Sequence, residues 1–462
     1  MYLLRNFSNR AFKQTFGKFL KFSYSTSKFE FSSKSMSINN QEKSLEKDFT
    51  PLTIFNPDTD ILKFYKKYLT TDKKEPTKAE YEEMYNTKIE YINEKISNLQ
   101  KSGKSILNYS ATFQKFTKFS GILEYKHEMG DILKIITEKI TDSDEKDLKE
   151  LVEYYFKSSG KMIRPYLLML ISRYIFDCLY KTKDNQDYFN SEIHNKYVKP
   201  FAACVEVLHN ASLLQDDIID NSDKRRNLTT AHNLYGINNT VFGSNYIISR
   251  AANVITSLEI YPLNEIYSSM VYYLTYGECQ QSLAKPNLDD IDASLRVYLI
   301  KTYYKTASLI AMGMRGIAVI YGLDENLQRS LFNLGLHIGI VFQLIDDVMD
   351  VLYDSAKIQK PALIDLNQGI INLYLLFEIA DDMNQQNKKE MLDMAKRKFN
   401  QVGDIEKTLE NLKKGKGIIK TQNLATDHLV ECFNILDNPF FVDSDNRKSL
   451  LNCLKYLINR SF

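Results

Sequence analysis

From about residue 125 onward the chain is a succession of apolar stretches of helical length, and nothing else in it constrains the fold as tightly. DILKIITEKI, PYLLMLISRYIFDCLY, PFAACVEVLHNASLLQ, SLRVYLIKTYYKTASLIAMGMRGIAVIYG and RSLFNLGLHIGIVFQLIDDVMDVL are the clearest. Several carry apolar residues round most of the helical circumference, the pattern of helices buried within a large bundle. Strand-like alternation is scarce. Nine prolines and seventeen glycines in 462 residues leave room for long helices. Pro165 and Pro200 stand where helices open, and Pro262 and Pro286 fall in connections. With no repeat of fixed period, residues 125–462 are expected to form one all-α domain of ten or more helices.

The preceding residues differ. Residues 1–29 carry Arg5, Arg10, Lys13, Lys18, Lys21 and Lys28, no acid, and several serines between phenylalanines and leucines. That composition suits a mitochondrial transit peptide, since a secretory signal needs a continuous apolar centre. Residues 30–124 read as a linker followed by a charged, partly helical extension, either a surface helix or a loosely packed segment. No apolar run reaches the roughly 18 residues of a membrane-spanning helix, so any membrane association is expected to be peripheral. A net charge of +2 without a basic stripe gives no footprint for nucleic acid. The five cysteines are widely spaced, with no CxxC pair, which argues against a zinc site and a disulfide framework.

Two acidic clusters carry the chemistry. LLQDDIIDNSDKRRN sets Asp216, Asp217 and Asp220 at the end of an apolar run, ahead of Arg225 and Arg226. On a helix, Asp216 and Asp220 share a face, and like charges so placed repel by roughly 0.2–0.5 kcal/mol per pair. The helix C-terminus is also unfavourable for carboxylates. A single cluster of this kind is equally well a solvated helix end. FQLIDDVMD repeats the spacing with Asp346, Asp347 and Asp350, again closing an apolar run. Two copies in matching contexts point to hard cations held between carboxylates and a phosphorylated ligand, with Mg²⁺ as the natural choice.

An anionic ligand also calls for cations from the protein. Lys161 and Arg164 lie in SSGKMIRP at a helix start, a setting suited to phosphate. His209 stands two turns before Asp216 on the same helical face. Lys305, followed by Thr306 in YYKTASLI, places an ammonium in an otherwise apolar helix, where an unpaired charge is costly.

Taken in order, GKxxRP, ExxHxASLLxDDxxDxSxxRR, KTASLI, FQLIDDVxD and KPxxxDL resemble the all-trans isoprenyl (polyprenyl) diphosphate synthases. The chain also resembles the fungal mitochondrial hexaprenyl diphosphate synthases of ubiquinone biosynthesis, and GDIEKTLENLKKGKGIIKT is similar to that group too. The resemblance implies an all-α bundle of the class I terpenoid synthase type. It implies a prenyltransferase that joins isopentenyl diphosphate to an allylic diphosphate (farnesyl or geranylgeranyl) in the mitochondrial matrix or on the matrix face of the inner membrane. By the same resemblance, Asp216, Asp217, Asp220, Asp346, Asp347 and Asp350 bind Mg²⁺. Arg225, Lys305, Thr306, Gln343 and Lys360 hold the allylic diphosphate, while Lys161, Arg164, His209 and Arg226 hold isopentenyl diphosphate. A homodimer or hetero-oligomer is also implied.

Ala211 and Ser212, five and four residues before Asp216, are small where short-chain relatives place an aromatic floor, which implies a long product. Four positions depart from the family pattern. Gln215 stands where His is usual and Asn227 where Gly follows the arginine pair. Gly243-Ser244-Asn245 replaces Ala-Gly-Asp, and Gln359 replaces Gly before Lys360. A non-catalytic partner subunit is the main alternative, but such subunits commonly lose acidic clusters. A terpene cyclase is the other, yet cyclases normally lack the GKxxRP and RR sites.

Overall fold

A computed structural model describes residues 64–65, 67–69, 75–101, 123–157, 160, 162–181, 185–226, 228–283, 287–352, 363–367, 369–380 and 385–459. Helices of eight or more residues are numbered in chain order. The first five are α1 (Lys78–Lys101), α2 (Leu123–Ile135), α3 (Lys146–Lys157), α4 (Ile163–Tyr180) and α5 (Lys199–Ile219). Next come α6 (Ile237–Thr256), α7 (Tyr261–Leu283), α8 (Ile291–Thr302), α9 (Ser308–Ile320) and α10 (Glu325–Leu352). The last are α11 (Leu373–Ala380), α12 (Gln385–Lys396), α13 (Asp404–Lys414), α14 (Gly417–Leu436) and α15 (Asp445–Asn459). Among the described residues the only sheet is a small antiparallel hairpin, β1 (Lys224–Arg225) with β2 (Leu228–Thr229). The expected all-α bundle is what forms.

The closest packing joins α9 to α10, α5 to α6, and α10 to α14. Glycine explains how α9 and α10 meet. A Cβ on Gly335 would lie 2.7 Å from Ala311 Cα, and one on Gly339, a turn later, would run into Ala307. The two backbones therefore touch along one face of α10, closer than side chains would allow. Leu331, Leu334, Ile338, Val341, Leu344 and Ile345 bury the rest of that helix. By length and composition α10 alone among the described helices could cross a bilayer, against the expectation that no segment would qualify. Its apolar stretch is 72% buried inside the protein, the condition of a core helix. All five cysteines are free, and four of them are buried.

The charged extension is more than a surface helix. Tyr81, Tyr85, Ile92 and Ile96 recur at helical spacing along α1 and are buried, where α1 packs on α14 and α15. Burial of each such side chain contributes roughly 1.5–3 kcal/mol. Ion pairs fix the register: Lys88 Nζ lies 2.6 Å from Asp427 Oδ1, and Lys95 Nζ lies 2.6 Å from Asp437 Oδ2. Glu75, just before α1, pairs with two buried lysines of the α14 start, Lys420 and, at 3.4 Å, Lys416. The transit-peptide and linker readings of residues 1–63 fall outside the described residues.

Candidate active site

Helix α5 carries the first acidic cluster in its last turn. Pro200 sits in its first turn, where the missing N–H costs nothing. At the other end the Asp220 N–H donates to Asp216 O at 2.8 Å, and the Ser222 N–H to Asp217 O at 3.0 Å. Asn221, at φ +49°, turns the chain out of the helix. The β1–β2 hairpin then folds back, with Arg226 at φ +51° between the strands. This return brings Arg225 Nε to within 2.6 Å of Asp217 Oδ1. The half-exposed or exposed stripe of α5 comprises His209, Ser212, Leu213, Asp216 and Asp220, whereas Ala211, Leu214 and Asp217 are buried. Burial pushes the Asp217 and Asp220 carboxyls upward; the negative Asp216 adds to this and Arg225 opposes it.

Lys305 reaches the cluster from a π-helical turn, Tyr303–Ala307, inserted between α8 and α9. Such turns occur often at functional positions. Gly277 of α7 lets this turn come close, for a Cβ there would lie 2.8 Å from Tyr304 Cβ. Lys305 Nζ is 3.1 Å from Asp216 Oδ1, 2.9 Å from Glu278 Oε1 and 3.0 Å from Gln281 Oε1. Burial pulls its ammonium down, but Asp216 and Glu278 outweigh that and hold it above the usual lysine value. Glu278 is pushed up to about 7, first by burial and then by Asp216, with Lys305 opposing.

The second cluster is wired to the same turn. Thr306 Oγ1 donates to Gln343 Oε1 at 2.7 Å, and Gln343 Nε2 donates to Asp347 Oδ1 at 2.7 Å. The Tyr298 hydroxyl donates to Asp347 Oδ2 at 2.9 Å. Asp347 is therefore enclosed with both oxygens engaged, and burial pushes its carboxyl up to about 7. Asp346 and Asp350 remain partly exposed. Asp350 Oδ2 accepts the Asp365 N–H at 3.2 Å, and Asp365 in turn accepts from Asn372 Nδ2 at 2.5 Å.

Arg164, Arg226 and His209, three of the groups expected to bind a second anion, lie within electrostatic reach of one another. Arg164 lies in the first turn of α4, two residues after Met162, which is in the left-handed region. Burial lowers its guanidinium, against the raising fields of Glu206 and of Asp346 across the site. Its Nε is buried with no protein partner. Burial holds His209 neutral, reinforced by Arg164, Arg226 and Arg225. Gly160 makes room for Arg226: a Cβ there would lie 2.6 Å from Arg226 Nη2. Lys161, Asn227, Gln359 and Lys360 lie outside the described residues.

These donors suit a hard cation. They are carboxylate oxygens, they raise one another's affinity for protons, and Asp217 Oδ2 is buried without a hydrogen-bond partner. Among the described residues no three acidic, histidine or cysteine side chains form a ready-made metal cage. Mg²⁺ typically takes one or two carboxylates and completes its shell with water and phosphate oxygens, so a split arrangement fits it.

Four side chains at the site carried no sequence signal: Glu278 and Gln281 on α7, Tyr298 on α8, and His232. Buried His232 follows the hairpin, acts electrostatically on Asp217, and has neither ring nitrogen bonded to a protein group. Their spacing marks them as ordinary helical residues, and only the crossing of elements brings them to the acids.

Two carboxylate clusters beside a mostly buried lysine in an all-α bundle suit a polyanionic ligand. The polyprenyl synthetase family model matches residues 145–412, so the chain belongs to the polyprenyl synthetase family and is a trans-prenyltransferase by class. A prenyl transferase of Cyanophora paradoxa is 29% identical over 72% of this chain and 95% of its own length. A probable mitochondrial hexaprenyl pyrophosphate synthase of Yarrowia lipolytica is 27% identical over 68% of this chain and 79% of its own. The decaprenyl-diphosphate synthase of Dictyostelium discoideum, 28% identical, is matched over 67% of this chain and 62% of its own length. Among solved structures, a Caulobacter crescentus polyprenyl synthase complexed with calcium and isoprenyl diphosphate aligns with TM-score 0.62. It is 24% identical, covering 76% of this chain and 98% of that one, a likeness of fold.

Proposed function

We propose that the chain extends an allylic prenyl diphosphate with isopentenyl diphosphate to a long product, hexaprenyl diphosphate, that supplies the ubiquinone side chain. The observation that carries this is the meeting at Lys305 of the two acidic clusters, Asp216 directly and Asp347 through Thr306 and Gln343, with Arg164, His209 and Arg226 within electrostatic reach of one another. Asp216, Asp220, Asp346 and Asp350 have exposed carboxylate surface and would ligate Mg²⁺ directly. Enclosed Asp347 would act chiefly by orienting Gln343, while Asp217 would orient Arg225 through Oδ1 and offer its unpaired Oδ2 to the metal. When bound, Mg²⁺ would supply Lewis-acid neutralisation of the diphosphate as its bond to the allylic carbon breaks.

The chain's own groups do the rest. Lys305, Thr306, Gln343, Arg225 and Lys360 hold the allylic diphosphate and stabilise the charge it gains on leaving. Lys161, Arg164, Arg226 and neutral His209 hold isopentenyl diphosphate, whose double bond attacks the allylic carbon. The bonding pair of the broken C–O bond departs with diphosphate. The proton lost when the new double bond forms passes to that released diphosphate, so no side-chain base is needed. The tail runs along the open stripe of α5 past Ser212, and Ala211, buried beside α6, keeps that turn small.

Residues 1–29 would direct the chain to mitochondria, 30–124 would serve as linker and docked extension, and 125–462 would form the catalytic domain. Assembly as a homodimer or hetero-oligomer is supported by the exposed Phe242, Tyr261 and Tyr272 on α6 and α7. Incubation of the purified chain with farnesyl or geranylgeranyl diphosphate, isopentenyl diphosphate and Mg²⁺ should give stepwise elongation. Absence of elongation, alone or with a partner chain, would sink the reading.

A further inference from the structure

Two of the family departures meet in space. Gln215 Nε2 donates to Ser244 Oγ at 2.9 Å, and Ser244 Oγ donates to the Ala211 carbonyl at 3.1 Å. Gln215 and Ala211 are one turn apart on α5, so the serine of α6 bridges two successive turns directly before the acidic cluster. Ser244 is fully buried, and its hydroxyl has both hydrogen-bonding roles filled. The neighbouring Gly243 packs on α3, where a Cβ would run into Leu151. Helix α6 is thus wedged between α3 and α5 and gives the bridge a fixed footing.

We propose that Gln215 and Ser244 are positioning residues that set the rotation of the last α5 turn and so aim Asp216 at Lys305. Successive helical residues differ by about 100° in direction. Gln215 points toward α6 and Asp216 toward α7 and the π-helical turn, so fixing the first fixes the second. At about 100° per residue, Gln215 and Ala211 lie roughly 120–160° round α5 from neutral His209. The bridge therefore governs binding of the metal–diphosphate at Asp216 and not binding of the second anion. This rests on the proposed role of Asp216 at the allylic diphosphate.

The test compares the full chain with Ser244→Ala, Gln215→Met and the double variant. Affinity for inorganic diphosphate with Mg²⁺ is read by calorimetry, and both substrate KM values, kcat and Tm are read alongside. Each single variant should weaken Mg²⁺–diphosphate binding and raise the allylic KM by about three- to tenfold, the range for one or two lost hydrogen bonds. The isopentenyl KM and kcat should stay within about twofold. The double variant should be no worse than the weaker single one, since either change opens the same bridge. Unchanged affinity, an equal rise in both KM values, or effects that multiply in the double variant would overturn the proposal. If the wild-type chain binds Mg²⁺–diphosphate but does not elongate, the proposed function fails and the calorimetric comparison still decides the bridge. If the wild-type chain does not bind it, both fall.

Discussion

Lys305→Met is the perturbation whose consequences can be worked out furthest. The lysine, Asp216 and Glu278 side chains are only 18%, 17% and 14% exposed, so solvent screens their interaction little. At about 3 Å and an effective dielectric near 20, each ion pair is worth roughly 5–6 kcal/mol in Coulomb energy. Desolvation offsets most of this, and breaking a buried pair typically costs about 3–5 kcal/mol, because the remaining charge is left uncompensated. Here two carboxylates would be stranded, and Glu278, already pushed up to about 7, would rise further and take a proton. In metal-free buffer the variant should melt roughly 5–10 °C below wild type. Mg²⁺ should return part of that loss by replacing the missing cation, so the Mg²⁺-induced rise in Tm should be larger in the variant. Turnover should fall by about 10²-fold or more, since the metal does not replace the lysine at the departing diphosphate. Scanning calorimetry with and without Mg²⁺ tests this. Equal melting temperatures and equal Mg²⁺ shifts would refute the picture of Lys305 as the counter-ion of both acids.

Other outcomes follow from the same geometry. Asp347 keeps its proton to about pH 7 when folded, whereas an unfolded aspartate loses it near 4, so this group's contribution to stability falls as pH rises between those values. In metal-free buffer, Asp347→Asn should reduce the loss of urea-unfolding free energy from pH 5.5 to 7.5 by about 1–2 kcal/mol; an unaltered pH profile would contradict the enclosure of this carboxyl. Glu75→Gln should destabilise the fold by about 3–5 kcal/mol by removing the counter-charge of buried Lys420, read by urea denaturation. A change below about 0.5 kcal/mol, the level of an ordinary surface site, would mean that the extension is not docked as described. Ser212→Phe, on the open stripe of α5, should shorten the product, measured by mass, with little effect on Tm. Ala211→Phe, at a fully buried site whose carbonyl is bonded to α6, should lower Tm as well.

Much of this was legible in the sequence, for identifiable reasons. Helical periodicity and the scarcity of Pro and Gly reveal an all-α bundle, because burial of a helix writes its face into the spacing of apolar residues. The doubled DDxxD spacing and the cation inside YYKTASLI were legible because charge within apolar sequence is costly unless it is used. What escaped depends on which element covers which. Tyr81, Tyr85, Ile92 and Ile96 show that α1 has an apolar face, but nothing local says that α14 receives it. Glu278 and Tyr298 reach the acids only through the close approach at Gly277 and the π-helical turn, a register change that apolar spacing does not reveal. Asp347 matches Asp346 in sequence yet is enclosed, because one residue along α10 turns the side chain from the site toward Tyr298. Gln215 and Ser244 stood out only as two separate departures until their hydrogen bond joined them.

The central claim is that the two clusters and their cations elongate a prenyl chain, and product mass tests it most directly. Farnesyl diphosphate, isopentenyl diphosphate and Mg²⁺ incubated with the purified chain should yield a ladder of longer prenyl diphosphates ending at hexaprenyl, abolished in Asp216→Asn. Recovery of the primer without elongation, or a cyclised hydrocarbon in its place, would contradict the account.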